Sequence, residues 1–104
     1  MYYWAPLYIV LQYENAMKKN KVSVVARGKN GFLTEYKKYK TATAMKKQIA
    51  PETNITWEQK RNAFLARSVP QYRSNPTYRR WLSLMAWAYN NPILHENHPD
   101  KKTN

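Results

Sequence analysis

Apolar residues along this chain fall into short bursts separated by basic stretches, and the spacing inside each burst predicts an element. From Leu7 to Tyr13 the run is continuous except for Gln12 and holds two β-branched residues, which suits a buried strand. A helix stays open there. Pro6 fits a first helical position, and Leu7, Val10, Leu11 and Met17 share a face that closes on Lys18 and Lys19 near the negative end of the dipole. The strand over 7–13 is preferred.

Val22 to Arg27 then alternates, passes through Gly28-Lys29-Asn30-Gly31 and resumes as Phe32 to Tyr39. Asn-Gly supplies the positive φ angles of tight hairpin turns, and both flanks have strand composition. A β-hairpin over about 21–40 is therefore predicted, with Arg27 and Lys29 at its tip.

Beyond Lys40 helix formers take over, and Thr41 or Thr43 caps a short helix over about 43–50 that Pro51 stops. Thr56 and Gln59 form a capping box, after which Trp57, Arg61, Phe64, Leu65 and Ser68 recur on one face of a helix over 57–69. Asn75 and Pro76 open a last helix over 76–90. Its Tyr78, Trp81, Leu82, Met85 and Tyr89 repeat every three or four residues until Asn90-Asn91-Pro92. Leu84, Trp87 and Ala88 give that helix a second apolar face, so it is covered on two sides or meets a partner.

The expected fold class is α+β: a small antiparallel sheet followed by two or three helices. It forms one basic domain over 1–92 with a flexible polar tail over 93–104. In order of elements only, over roughly residues 7 to 50, this resembles the small arm-type DNA-binding domains of phage integrases, in which a sheet enters the groove. No residue motif accompanies that likeness, and no site residue follows from it.

Composition adds weight to a single small core. The 104 residues include four Trp, nine Tyr and two Phe, large rings that fill a core and carry polar edges to its boundary. There is no Cys, hence no disulfide framework, thiolate nucleophile or cysteine-based zinc site. The apolar opening ends at Gln12, far short of a ~20-residue span, so a soluble, cytoplasmic protein without a membrane partner is expected.

Charge changes the picture most. The net charge is +12, and ten basic residues between Lys18 and Lys47 face one acid, Glu35. A polyanion would relieve the self-repulsion of such a chain. The nucleic-acid-binding residues predicted are Arg27, Lys29 and Asn30 at the hairpin tip, with Lys37, Lys38, Lys40, Lys46 and Lys47 behind it. A second group, Tyr72, Arg73, Arg79 and Arg80, lies around the start of the last helix, where an anion would explain arginines against a positive dipole end. A two-stranded ribbon fits the major groove, which favours DNA slightly over RNA.

The role expected is a non-enzymatic accessory or regulatory factor, with a phage or mobile element as a suggested setting. The alternative is a protein-interaction module, a small inhibitor or assembly subunit, docking on an acidic partner or forming a homodimer through Trp87 and Tyr89.

Catalytic chemistry is not indicated. Glu14, Glu35, Glu52, Glu58, Glu96 and Asp100 are scattered: Glu58 suits a helix start, Glu35 a hairpin lysine, and Glu14 pairs with Lys18 if that stretch is helical. His95, His98 and Asp100 offer metal-ligand atoms in a terminal segment without matching partners, and two glycines are too few for a phosphate cradle. No metal and no cofactor are expected.

Overall fold

The computed structural model describes residues 2–90; helix accounts for 61%, and no β-strand occurs among the described residues. The first two helices, α1 (Leu7–Gln12) and α2 (Glu14–Lys19), replace the strand expected over 7–13. Pro6 sits at the N-cap of α1 with its carbonyl accepting from Ile9 and Val10 N–H, and the two helices meet at a break on Tyr13. Val10 and Met17 are fully buried, seven residues apart on one face. A run that suits either element took the helical option because that face meets the rest of the core.

The hairpin over 21–40 is also overturned, and with it the α+β class. Two helices, α3 (Val24–Arg27) and α4 (Phe32–Tyr39), pack against each other instead. Burial shows why. Phe32 and Leu33 are adjacent and both buried, as is Tyr36, a pattern that a half-exposed strand cannot make but one stripe of a helix can. Likewise Val22 and Ala26 are buried while Val24, their strand-mate in an alternating reading, is 62% exposed.

The Asn-Gly signal marked a real turn of another kind. Asn30 takes the left-handed region at φ 61°, and Gly31 begins α4 so close to α3 that a Cβ would lie 2.1 Å from the Val25 carbonyl oxygen. It makes a helix–helix corner. Without a sheet, the likeness to integrase arm-type domains lapses.

A four-residue α5 (Ala42–Met45) follows, capped by Thr41, whose Oγ1 accepts from Ala44 N–H. It is earlier and shorter than the helix expected over 43–50. The capping box opens α6 (Trp57–Ser74) as predicted: Thr56 Oγ1 accepts from Gln59 N–H at 3.1 Å, and Thr56 N–H donates to Gln59 Oε1 at 2.9 Å. This helix runs through Pro70 instead of ending at Val69, because Val69 and Tyr72 on either side of the proline are buried and hold the final turn.

The last helix, α7 (Tyr78–Met85), is capped by Thr77, not Asn75, and is shorter than the expected 76–90. Ala88 at φ 58° turns the chain out of it.

That turn lets the two ends of the described chain meet. Ala5 N–H donates to Ala88 O at 2.6 Å and Asn90 N–H to Tyr3 O at 2.9 Å, a single antiparallel bridge between Trp4 and Tyr89. Arg61 of α6, 1% exposed, closes the clasp. Its guanidinium donates to Trp87 O (2.7 Å), Tyr2 O (2.8 Å), Ala88 O (3.0 Å) and Tyr3 O (3.1 Å), and lies 4.4 Å from the Trp4 ring. Burial lowers its pKa to about 10, partly offset by Tyr36, Glu58 and Tyr89, so it stays charged at neutral pH.

Aromatic rings fill the centre, with Trp87 stacked on Phe64 at 4.4 Å and on Phe32 at 4.9 Å. The tail expected over 93–104, with His95, Glu96, His98 and Asp100, lies outside the described residues.

Candidate nucleic-acid interface

The cationic side chains stand on a body that does little to neutralise them. Of the lysines and arginines in the described residues, Arg61 is buried; among those residues the ion pair is Lys37 with Glu14. Glu14 therefore reaches across to α4 instead of pairing with Lys18.

Basic positions from distant parts of the chain come together where α2 ends against the start of α7. The Arg79 guanidinium donates to the Asn20 and Lys21 carbonyls, residues 59 and 58 positions away in the chain. Asn20 caps α2, so Arg79 is held at a negative helix end. Its position on α7 thus has an internal explanation that needs no anion. Arg80 donates to Asn75 O at 3.3 Å.

Both arginines, with Ser23, Thr77 and Ser83, border a groove of about 560 Å³. Lys18, Lys19 and Lys21 lie beside this junction and are exposed. They were legible as basic residues, but only the fold sets them next to Arg79.

The other predicted residues divide. Arg27 and Asn30 are half-buried at the α3–α4 corner, where Arg27 Nε–H donates to Val22 O at 3.0 Å, while Lys29 is exposed. Without a ribbon, these residues have no hairpin tip from which to enter a groove. At the end of α4, Lys38 lies 5.3 Å from the Tyr39 ring and Lys40 holds the left-handed C-cap at φ 73°. Lys46 is half-buried beside α6 and Lys47 is exposed.

Tyr72 is 5% exposed, so its ring belongs to the core and offers no face to a base. Arg73 is exposed in the last turn of α6, where a cation suits the dipole. Trp87 and Tyr89, the proposed anchors for a protein partner, are half-buried, with Trp87 stacked between Phe32 and Phe64.

Among the described residues no group of three His, Cys, Asp or Glu side chains could hold a metal ion, and no helix is long and apolar enough to cross a membrane. No protein-family model matches the chain, and no match emerges among curated proteins or solved structures.

Proposed function

We propose that the protein is a non-enzymatic nucleic-acid-binding protein that grips phosphates through exposed lysines and arginines. The observation carrying this reading is that the exposed Lys18, Lys19 and Lys21 flank the junction where Arg79 holds the Asn20 and Lys21 carbonyls, next to the groove that Arg79 and Arg80 border, on a surface whose positive charge has one internal counter-ion pair among the described residues. Exposed lysines displace condensed counterions from a backbone without reading sequence. The slight preference for DNA rested on a ribbon in the major groove, and that support is gone.

The test is a titration of labelled duplex DNA, single-stranded DNA and RNA at two or more salt concentrations. Affinity should fall steeply with salt, and the triple variant K18A/K19A/K21A should flatten the log–log slope on duplex by about 2.7, at about 0.9 per phosphate contact. Salt-independent binding, or no binding to any of the three, refutes it.

A second reading keeps an acidic protein as the partner, favoured by Val24 and Val25, which are 62% and 83% exposed near Arg27 and Lys29. A pull-down with added nuclease separates the two, since a direct protein contact survives digestion.

A further inference from the structure

Between the first described residues and α6 lies a pocket of about 550 Å³, a size typical of small-ligand sites. Tyr2, Tyr3 and Trp4 give it an aromatic wall, and Lys46, Glu58 and Asn62 bring an ammonium, a carboxylate and an amide to the same space. Their backbone is held in place, while the Glu58 and Asn62 side chains are exposed. Glu58, Asn62 and the small Ala66 follow one another at four-residue intervals, so they share one stripe of α6. Glu58 N–H donates to Lys46 O at 3.2 Å, fixing the approach of α5. Arg61 pins the wall through the Tyr2 and Tyr3 carbonyls and the Trp4 ring. The Lys46 and Asn62 side chains have no hydrogen-bond or ion-pair partner of their own among the described residues, and the Glu58 carboxylate makes no hydrogen bond there while its charge acts on Arg61.

The geometry points to a site for one unstacked base of a single-stranded nucleic acid, guanine before the others. This rests on the nucleic-acid reading above and names the class of strand. Trp4 is already packed against Arg61, Phe32 and Tyr36, so the 69% exposed Tyr3 ring is the face of the wall on which a base stacks. The Glu58 carboxylate only accepts hydrogen bonds and repels phosphate, so the base edge, not the backbone, belongs beside it. Guanine presents N1–H and N2–H side by side, two donors for two carboxylate oxygens, and its O6 can accept from the Asn62 amide. That edge is consumed in a duplex and free in a single strand. Lys46 serves the adjoining phosphate.

The experiment is fluorescence anisotropy with labelled ten-residue uridine strands carrying one central guanosine, inosine, adenosine or uridine, with guanosine monophosphate as a free competitor. The guanosine strand should bind roughly tenfold more tightly than the inosine strand, which lacks the N2 amino group. E58Q should abolish that advantage, and K46A should keep it while lowering the salt slope by about 0.7. A66F, which fills the pocket from an exposed position, is the second blocking variant, with thermal melts checking that each variant folds.

Equal affinity for all four strands, unchanged by E58Q and A66F, overturns the base site and leaves the polyanion reading intact. Binding of guanosine monophosphate with no strand bound keeps the base site for a free nucleotide and removes the polyanion reading. No binding of either overturns both.

Discussion

Replacing Arg61 with Met tests what closes the fold. The side chain donates four hydrogen bonds to backbone carbonyls, two of which keep another donor: Asn90 N–H for Tyr3 O and Ala5 N–H for Ala88 O. Tyr2 O and Trp87 O would be left without one. Each orphaned carbonyl costs about 1–3 kcal/mol, so the gross loss is about 2–6 kcal/mol. Some of it is returned, because a buried charge no longer has to be desolvated. We expect a net loss of about 2–3 kcal/mol.

For 104 residues total stability is about 5–15 kcal/mol, so this is a large share. The melting temperature should fall by about 10–20 °C. Guanidinium denaturation and thermal circular dichroism measure both quantities. Arg61→Lys should recover less than half of the loss, since an ammonium keeps the charge but lacks the planar fork. If Arg61→Met is as stable as the parent, the desolvation cost outweighs the four bonds and the clasp does not depend on them.

Three further outcomes follow from the geometry. Gly31→Ala should destabilise by about 2 kcal/mol or more in denaturant titrations, because its Cβ meets backbone at 2.1 Å, whereas Gly28→Ala at 3.3 Å should cost far less; equal costs refute the close-approach argument. Lys40→Gly should gain about 0.5–1 kcal/mol by relieving a left-handed lysine at φ 73°, while weakening polyanion binding if Lys40 touches phosphate; a loss of stability refutes it. Burial raises the Tyr36 and Tyr78 phenols above their ordinary 10.0, so their contribution is full below pH 10 and is lost as pH rises past it. Tyr36→Phe, which loses the bond to Ala5 O at 2.9 Å, should cost about 1 kcal/mol at neutral pH and show a shallower decline above pH 10 in pH-dependent melts.

The helices with chemical punctuation were readable in the sequence. Thr56 and Gln59 announced α6 because capping is local, and Tyr78, Trp81, Leu82 and Met85 announced α7 because its apolar stripe is wide. The hairpin failed for a physical reason: Asn-Gly permits any sharp reversal, and whether the flanks extend or coil depends on which residues find cover. Val22 and Ala26 found it together, and so did Phe32, Leu33 and Tyr36. Cover is a tertiary fact. The same holds for the site, where the contact of Arg79 with Asn20 and Lys21 joins segments 58 or more residues apart and leaves no local trace. Arg61 did leave one, as a cation on the apolar face of α6, yet its carbonyl partners come from both ends of the described chain.

α2 relates the basic groups to one another. Glu14 at its start holds Lys37, and Asn20 at its end holds Arg79, so the two contacts are separated by about 9 Å of helix at 1.5 Å per residue. That is near the Debye length of ~8 Å at physiological ionic strength, so the neutral Lys37–Glu14 pair and the Arg79 charge act nearly independently. Such a surface supplies affinity without base discrimination, because ammonium groups on flexible stems answer to charge and not to edge geometry. Discrimination needs hydrogen-bonding groups matched to a base edge and a stacking face, and the pocket lined by Glu58, Asn62 and the Tyr2–Trp4 wall is where the proposal places them. On the proposed reading, affinity and selectivity would belong to different elements, α2 with α7 for the first and α6 with the clasped N-terminal segment for the second.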